Sequence, residues 1–167
     1  MNLRKLEKTE HEKTRRLWEE IFTEDTEAFL DYYYSIKTAE NEIFVMEEDQ
    51  TIRSMLPLNP YRLRVNKASF STNYIIAVAT DEKYRKRGLM GRLLKHVMRE
   101  MYDRKEPFTF LMPAAEAIYY PYDFRFVYNQ GQCEVSGREK KEEKEEEEKE
   151  KGRKEKERER KTGGLAS

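Results

Sequence analysis

Two segments near the N-terminus carry apolar residues at the spacing of one helix face. The apolar positions are Leu17, Trp18, Ile21 and Phe22 within residues 12–22, and Phe29, Leu30, Tyr33 and Tyr34 within residues 26–36. Charged and polar side chains fill the positions between them. This periodicity predicts that two amphipathic helices open the domain.

The pattern then changes to that of strands. Residues 43–46 and 51–58 read as two strands joined by a turn through residues 48–50, which predicts a hairpin. Pro57, Asn59 and Pro60 interrupt the second run. Because proline cannot donate to a sheet ladder, we expect a bend or a strand end there, followed by a separate short strand at residues 61–65.

A strand, a helix and a second strand follow within about forty residues. Residues 74–79 form a continuous apolar run, typical of a strand buried on both faces, although a buried helix has the same signature. Residues 89–102 place their apolar side chains on one helix face, and the apolar run 108–112 comes after Pro107. We therefore predict a βαβ unit with parallel strands and a right-handed crossover.

The apolar pattern ends near residue 136. Residues 114–120 are compatible with a short helix, and residues 126–135 read as a last strand in which Gly131 marks a bulge. Every residue from 137 to 161 is Gly, Arg, Lys or Glu. We expect one folded domain at 1–136 and a low-complexity tail at 137–167, either disordered or a solvated single helix, because the tail cannot bury apolar area.

Charge and cysteine content exclude several classes of function. The 33 basic side chains balance the 33 acidic ones, so no global field favours nucleic acid or an anionic membrane. One cysteine, Cys133, and two separated histidines make a disulfide or a structural metal site unexpected. No apolar run reaches the length of a membrane span. We expect a cytoplasmic protein without a metal.

The loop before the long predicted helix carries the candidate chemistry. Arg85, Lys86 and Arg87 are followed by Gly88 at the predicted helix start, where free backbone N–H groups and the helix dipole favour an anion. A solvated basic turn or a nucleic-acid patch would look the same by composition. A cationic turn with glycine inside a βαβ unit, however, is where open α/β folds bind anionic ligands, which favours a pyrophosphate site.

Residues 85–90, Arg-Lys-Arg-Gly-Leu-Met, preceded by Ile-Ala-Val-Ala at 76–79, resemble the acyl-CoA motif of GNAT N-acetyltransferases, Arg/Gln-x-x-Gly-x-Gly/Ala. Met90 departs from the motif at its sixth position, and Gly91 follows it. The segment is similar to that of Eis-like acetyltransferases, as are Phe-Leu-Met-Pro at 110–113 and Ala-Ile-Tyr at 117–119. The resemblance covers roughly residues 17–130.

The resemblance implies an α/β (α+β) GNAT fold, with a mixed twisted sheet flanked by helices, and transfer of acetyl from acetyl-CoA to a small-molecule or lysine amine. It implies that backbone groups of the first apolar strand hold the pantetheine arm and that the glycine loop holds the pyrophosphate. Tyr119 would protonate the leaving thiolate, and a tyrosine can do so without special tuning. The implied acetyl-CoA-binding residues are Ile76, Ala77, Val78, Arg85, Lys86, Arg87, Gly88, Leu89, Met90 and Gly91.

The chain also departs from Eis-like enzymes, which are longer and use their terminal carboxylate as general base. Two alternatives therefore stay open: a non-catalytic fragment that binds acetyl-CoA, and an interaction protein that acts through the charged tail. The sequence does not identify the amine, the base or an oligomeric state. It also leaves open whether the tail is a functional segment or the product of a truncation or frame slip.

Overall fold

A computed structural model of the chain describes residues 1–127 and residue 131. It divides into two units, 1–126 and 127–167, and the fold described below is that of the first. The regular elements are, in chain order, β1 (Asn2–Lys5), α1 (Arg15–Ile21), α2 (Glu27–Ser35), β2 (Glu42–Glu48), β3 (Thr51–Val65), β4 (Ala68–Ile75), β5 (Ala79–Thr80), α3 (Leu89–Asp103) and β6 (Phe110–Leu111). Short 3₁₀ turns occupy 8–14, 37–40, 82–84, 116–118 and 120–122.

The strands form one mixed sheet in the order β1-β2-β3-β4-β6, with β5 paired to β3. Only β4 and β6 run parallel, and the other pairs are antiparallel. The parallel pair confirms the predicted βαβ connection through α3. This mixed sheet with helices packed on it confirms the predicted fold class. The predicted tail lies outside the described residues.

Alternating side chains of the sheet build a core on each face. In β2, Ile43 and Val45 pack with α1 and α2, whereas Phe44 and Met46 pack with α3. All four are at most 1% exposed. Because both faces are covered, β2 is apolar at successive positions instead of alternating with polar residues.

The predicted hairpin is confirmed, and its turn explains its sequence. Asp49 and Gln50 both have positive φ, 50° and 58°. These values are typical of the two-residue hairpin turn whose backbone twist matches the twist of the flanking strands. β2 and β3 pair across it from Glu48–Thr51 to Glu42–Leu58.

The predicted break at Pro57 and Pro60 is wrong, because β3 runs unbroken from Thr51 to Val65. Its β2 partner ends at Leu58, so Pro60 lies where the strand pairs with β4 alone. Pro57 falls between the segments of β3 that pair with β5 and with β4. At neither position, therefore, does the missing N–H of proline break a hydrogen bond in a part of β3 that is paired on both edges.

The other strand expectations need correction as well. The apolar run at 74–79 is not a continuous strand: β4 ends at Ile75, and β5 begins only at Ala79. The second apolar strand is limited to Phe110–Leu111. The short helix expected at 114–120 is instead a pair of 3₁₀ turns. Most of the last strand expected at 126–135 lies outside the described residues, and residues 126 and 127 are not in a strand.

His11, which the sequence places among charged residues, is buried at 3% exposure. Its Nδ1 lies 3.1 Å from the carbonyl oxygen of Thr38, so Nδ1 carries the proton and donates. Burial lowers the pKa of His11, and the Thr38 carbonyl opposes that shift only partly. The folded protein therefore holds a neutral histidine.

We expect the free energy of unfolding to fall as pH drops below about 6.5, the value for a free histidine. In that window the unfolded chain binds a proton that folded His11 does not, which costs up to about 1.4 kcal/mol per pH unit. Urea unfolding between pH 7.5 and 5.5 measures the slope, which should be smaller in His11→Gln. If the slope is unchanged in His11→Gln, or if a control substitution of the exposed His96 reduces the slope equally, His11 is not the group responsible.

Candidate functional site

The pairing of β4 with β6 ends after their second paired position. Tyr74 pairs with Phe110 and Ile75 with Leu111, and the ladder ends there. The backbone N–H of Ile76 still bonds β3, donating to the carbonyl of Pro57 at 3.2 Å. Beyond Ile75 no ladder joins β4 to β6, and this break, here called the β4–β6 gap, is bordered by residues 76–78 and 112–114.

A strained residue makes this turn. Ala77 has φ 47°, in a region that side chains with a Cβ rarely adopt. The three predicted pantetheine-binding residues, Ile76, Ala77 and Val78, are half-buried and belong to neither flanking strand. The N–H of Ile76 bonds Pro57, but the other backbone groups of these three residues have no backbone partner within residues 1–127 and are available to a ligand, which a continuous strand would not allow.

The glycine loop ends at the N-terminus of α3. Gly88 is the residue before the helix and has φ 73°. A Cβ built at Gly88 would meet no atom within 4 Å. Glycine is therefore favoured here by the backbone conformation and not by lack of space within the protein. The same open space leaves room for a ligand beside the backbone.

The first turn of α3 presents unused donors. The first helical bond runs from the N–H of Arg92 to the carbonyl of Gly88, at 3.1 Å. The preceding amides of Leu89, Met90 and Gly91 have no backbone acceptor within residues 1–127. The Leu89 side chain itself is buried in the core, so only its backbone amide can serve a ligand.

Gly91 has a different explanation from the one its sequence suggests. A Cβ at Gly91 would lie 2.2 Å from the Tyr122 hydroxyl, so the glycine makes room for that ring against the first turn of α3. Tyr122 packs on the core cluster of α3 together with Tyr119 and Phe124. The sequence motif therefore contains a packing contact as well as candidate ligand-binding groups.

Tyr84 organises the cations of the loop, and sequence analysis did not identify it. Its ring lies between two guanidinium groups, with the Cζ atoms of Arg53 at 4.5 Å and Arg87 at 4.6 Å from the ring centre. Its hydroxyl donates to Glu48 at 3.0 Å. Arg53 is paired with Asp81 at 3.1 Å. No local pattern reveals these partners, because they meet only through the pairing of β5 with β3.

Among the described residues, the loop cations differ in how far they are neutralised. Arg85 lies 3.6 Å from Glu82, whereas no carboxylate lies within 4 Å of the charged atoms of Lys86 or Arg87. Both are exposed, and Lys86 also has positive φ, 61°. Two uncompensated cations beside free helix amides are an arrangement suited to a phosphate.

Tyr119, the proton donor that the resemblance implies, lies on the α3 side of the sheet. Its ring packs on the α3 side of the core and contacts Phe124, with ring centres 5.8 Å apart. Burial raises the pKa of Tyr119 above its ordinary value near 10, and the neighbouring Tyr74 adds to that rise. No protein group in the described part of the chain bonds its hydroxyl. The phenol is thus protonated at neutral pH, and its hydroxyl can donate a proton.

The described residues hold no group of three or more His, Cys, Asp or Glu side chains that could bind a metal ion. They also contain no helix that is both long and apolar enough to cross a membrane.

Comparisons with known proteins point in one direction. Residues 2–127 match the family model described as an acetyltransferase (GNAT) domain. No curated protein matches the chain significantly. Among solved structures, the chain is similar to a predicted acetyltransferase of Clostridium acetobutylicum crystallised with acetyl-CoA, at 16% identity and TM-score 0.68, covering 80% of this chain and 95% of that one.

Two other solved structures share the fold. One is glucosamine-6-phosphate N-acetyltransferase from Arabidopsis thaliana, at 16% identity and TM-score 0.61, covering 81% of this chain and 98% of that one. The other is a probable N-acyltransferase of Enterococcus faecalis, at 17% identity and TM-score 0.67, covering 72% of this chain. The present chain spans only 31% of the Enterococcus protein.

Proposed function

The chain belongs to the GNAT acetyltransferase family, and we propose that it transfers the acetyl group of acetyl-CoA to a primary amine by direct attack. The observation that carries the proposal is the combination of two features on one βαβ unit. One is the β4–β6 gap with its available backbone groups at residues 76–78. The other is the row of amides and cations at the start of α3 that have no partner within residues 1–127.

These two features suit the two parts of acetyl-CoA. The pyrophosphate would accept hydrogen bonds from the amides of Gly88 to Gly91 and face the cations of Arg85, Lys86 and Arg87. The pantetheine arm, which carries its own amides, would bond the backbone of Ile76, Ala77 and Val78. The thioester would then lie in the gap, near Tyr119.

The reaction needs orientation, a donor for the developing oxyanion and a proton for the leaving thiolate. The amine nitrogen attacks the acetyl carbonyl, the carbon–sulfur bond breaks, and the nitrogen loses a proton as the amide forms. Tyr119 would protonate the thiolate and then regain a proton from solvent, which takes up the proton lost by the nitrogen. The net products are an N-acetyl amine and coenzyme A.

We further propose that the chain is Eis-like. Tyr84 to Met90 reads Tyr-Arg-Lys-Arg-Gly-Leu-Met, and Tyr119 follows isoleucine, as in that subfamily. The partial coverage of the long Enterococcus protein is compatible with this assignment.

Calorimetric titration with acetyl-CoA, followed by thiol release with a panel of primary amines, tests the proposal. Saturable binding together with amine-dependent thiol release is expected. Binding without release from any amine would support the non-catalytic alternative. Absence of binding at millimolar acetyl-CoA would refute the function.

We expect Tyr84→Leu to weaken acetyl-CoA binding about two- to fivefold. The ring holds Arg87 in place through a contact of the size usual for exposed cation–π pairs, and its loss frees the guanidinium. Tyr84→Phe is the matched control: it keeps the ring, loses only the hydrogen bond to Glu48, and should bind nearly as the parent does. Equal affinities of the parent and Tyr84→Leu would contradict this role.

A further inference from the structure

Three aromatic rings lie in contact beside the β4–β6 gap. The rings of Tyr74 and Phe110 stack with centres 5.0 Å apart and planes at 30°. Tyr61 meets both edge-on, at 5.8 Å and 5.7 Å. Tyr74 is 8% exposed and Tyr61 44% exposed, so this aromatic wall of three rings opens to solvent at Tyr61.

The wall faces away from α3. Ile75 packs into the core on the α3 side, so Tyr74, its neighbour in the strand, points to the face that carries α1 and α2. Tyr74 and Phe110 are paired one position before the ladder ends. A thioester held in the gap would thus have the α3 phosphate site on one side and the aromatic wall on the other.

The wall also adjoins the proposed proton donor. Burial raises the pKa of Tyr74, Tyr61 adds to that rise, and the backbone amide of Met112 at the gap opposes it. Tyr74 in turn raises the pKa of Tyr119. Tyr74 therefore belongs both to the wall and to the surroundings of Tyr119.

The wall itself carries no charge. Lys37 Nζ lies 6.0 Å from the centre of the Tyr61 ring, and Glu40 pairs with it at 3.2 Å. Within residues 1–127 no carboxylate bonds the hydroxyl of Tyr61 or Tyr74. A polyamine or an aminoglycoside needs carboxylates to hold its several ammonium groups, whereas an apolar wall favours the neutral, nucleophilic form of a single amine.

Building on the proposed function, we propose that the acceptor is an arylalkylamine, a primary amine joined by a short linker to a flat aromatic ring. The ring would pack against Tyr61, Tyr74 and Phe110, and the linker would carry the nitrogen to the acetyl carbonyl in the gap. Attack forms the carbon–nitrogen bond and breaks the carbon–sulfur bond. The amine proton passes to solvent water, the thiolate takes its proton from Tyr119, and Tyr119 is reprotonated from solvent.

Two readouts test the acceptor class with 2-phenylethylamine, n-butylamine and spermidine as probes. The first is calorimetric binding of 2-phenylethylamine to the full chain saturated with coenzyme A, which needs no turnover. The second is kcat/KM for thiol release with each amine. We expect 2-phenylethylamine to bind and to exceed both other amines in kcat/KM by about tenfold or more.

Tyr61→Ala should lower both signals for 2-phenylethylamine about tenfold, with n-butylamine changed less than twofold. Phe70→Ala is the matched control, because Phe70 contacts Phe108 farther along the same hairpin and lies outside the wall. It should leave all values unchanged.

The outcomes separate this inference from the proposed function. Equal or better use of n-butylamine or spermidine, or an unchanged Tyr61→Ala variant, would overturn the arylalkylamine assignment while leaving acetyl transfer intact. Binding of 2-phenylethylamine that depends on Tyr61, without release from any amine, would support the wall and refute acetyl transfer. Neither binding nor release would overturn both.

Discussion

Replacing Tyr119 with phenylalanine should lower kcat for acetyl transfer by about 100-fold or more, while the Kd for acetyl-CoA stays the same. General acid catalysis by a positioned side chain contributes on the order of 10² to 10⁴ in rate. The substitution removes only the hydroxyl and keeps the ring that packs on the α3 side of the core and against Phe124. Thiol release under saturating acetyl-CoA, with calorimetry for binding, measures both values.

Tyr120→Phe is the matched control for this experiment. Tyr120 is adjacent in sequence but exposed, and its hydroxyl bonds Glu116 at 2.6 Å instead of facing the gap. It should keep nearly all of the activity. If Tyr119→Phe retains more than a third of kcat, or if Tyr120→Phe is the variant that loses it, the proton donor is another group.

The pH dependence of the parent follows from the same environment. Burial raises the pKa of Tyr119, so the phenol stays protonated at least up to its ordinary value near 10. Rising pH between 7 and 9 deprotonates the amine without consuming the proton donor. The rate should therefore increase over that range in the parent.

Local patterns predicted the elements whose signals lie within one stretch of chain. The helical spacing around Trp18 and the apolar face of α3 each come from consecutive residues, and both helices formed. The turn at Asp49 and Gln50 was likewise predicted. β1 was missed because Asn2–Lys5 is short and mostly polar, and it exists only through its pairing with β2.

The errors concern positions at which a neighbouring strand decides the outcome. Residues 74–79 look like one strand, because apolarity cannot reveal that the pairing of β4 with β6 ends at Ile75. Pro57 and Pro60 look like breaks, because the sequence does not show which edges of β3 are paired. The candidate site depends on the first of these features, since the departure from the ladder creates the gap.

The site residues divide in the same way. Gly88 and the cations before it could be proposed from the sequence, because a glycine at a helix start leaves a local signal. The contacts of Tyr84 with Arg53 and Glu48 were not, because these residues come from β3 and β2. Gly91 was predicted to bind the cofactor, but the structure adds a packing reason for it, the close approach of Tyr122.

Gly88→Asp should weaken acetyl-CoA binding by about 100-fold or more. A carboxylate there would lie beside the amides of Leu89, Met90 and Gly91 and could bond them as a helix cap, competing for the donors that the pyrophosphate requires. It would also repel the phosphates, and two like charges 4 Å apart near a protein surface cost about 4 kcal/mol before salt screening. Calorimetric titration at two salt concentrations measures the loss, part of which should be recovered at high salt.

Gly88→Asn separates charge from backbone strain, because asparagine has nearly the same shape, carries no charge and tolerates positive φ about as well as aspartate. A Cβ at this position meets no atom within 4 Å, so both variants should fold, with similar thermal unfolding midpoints. Asparagine should cost far less affinity than aspartate. An aspartate variant that binds acetyl-CoA within threefold of the parent would mean that the pyrophosphate does not lie at the start of α3.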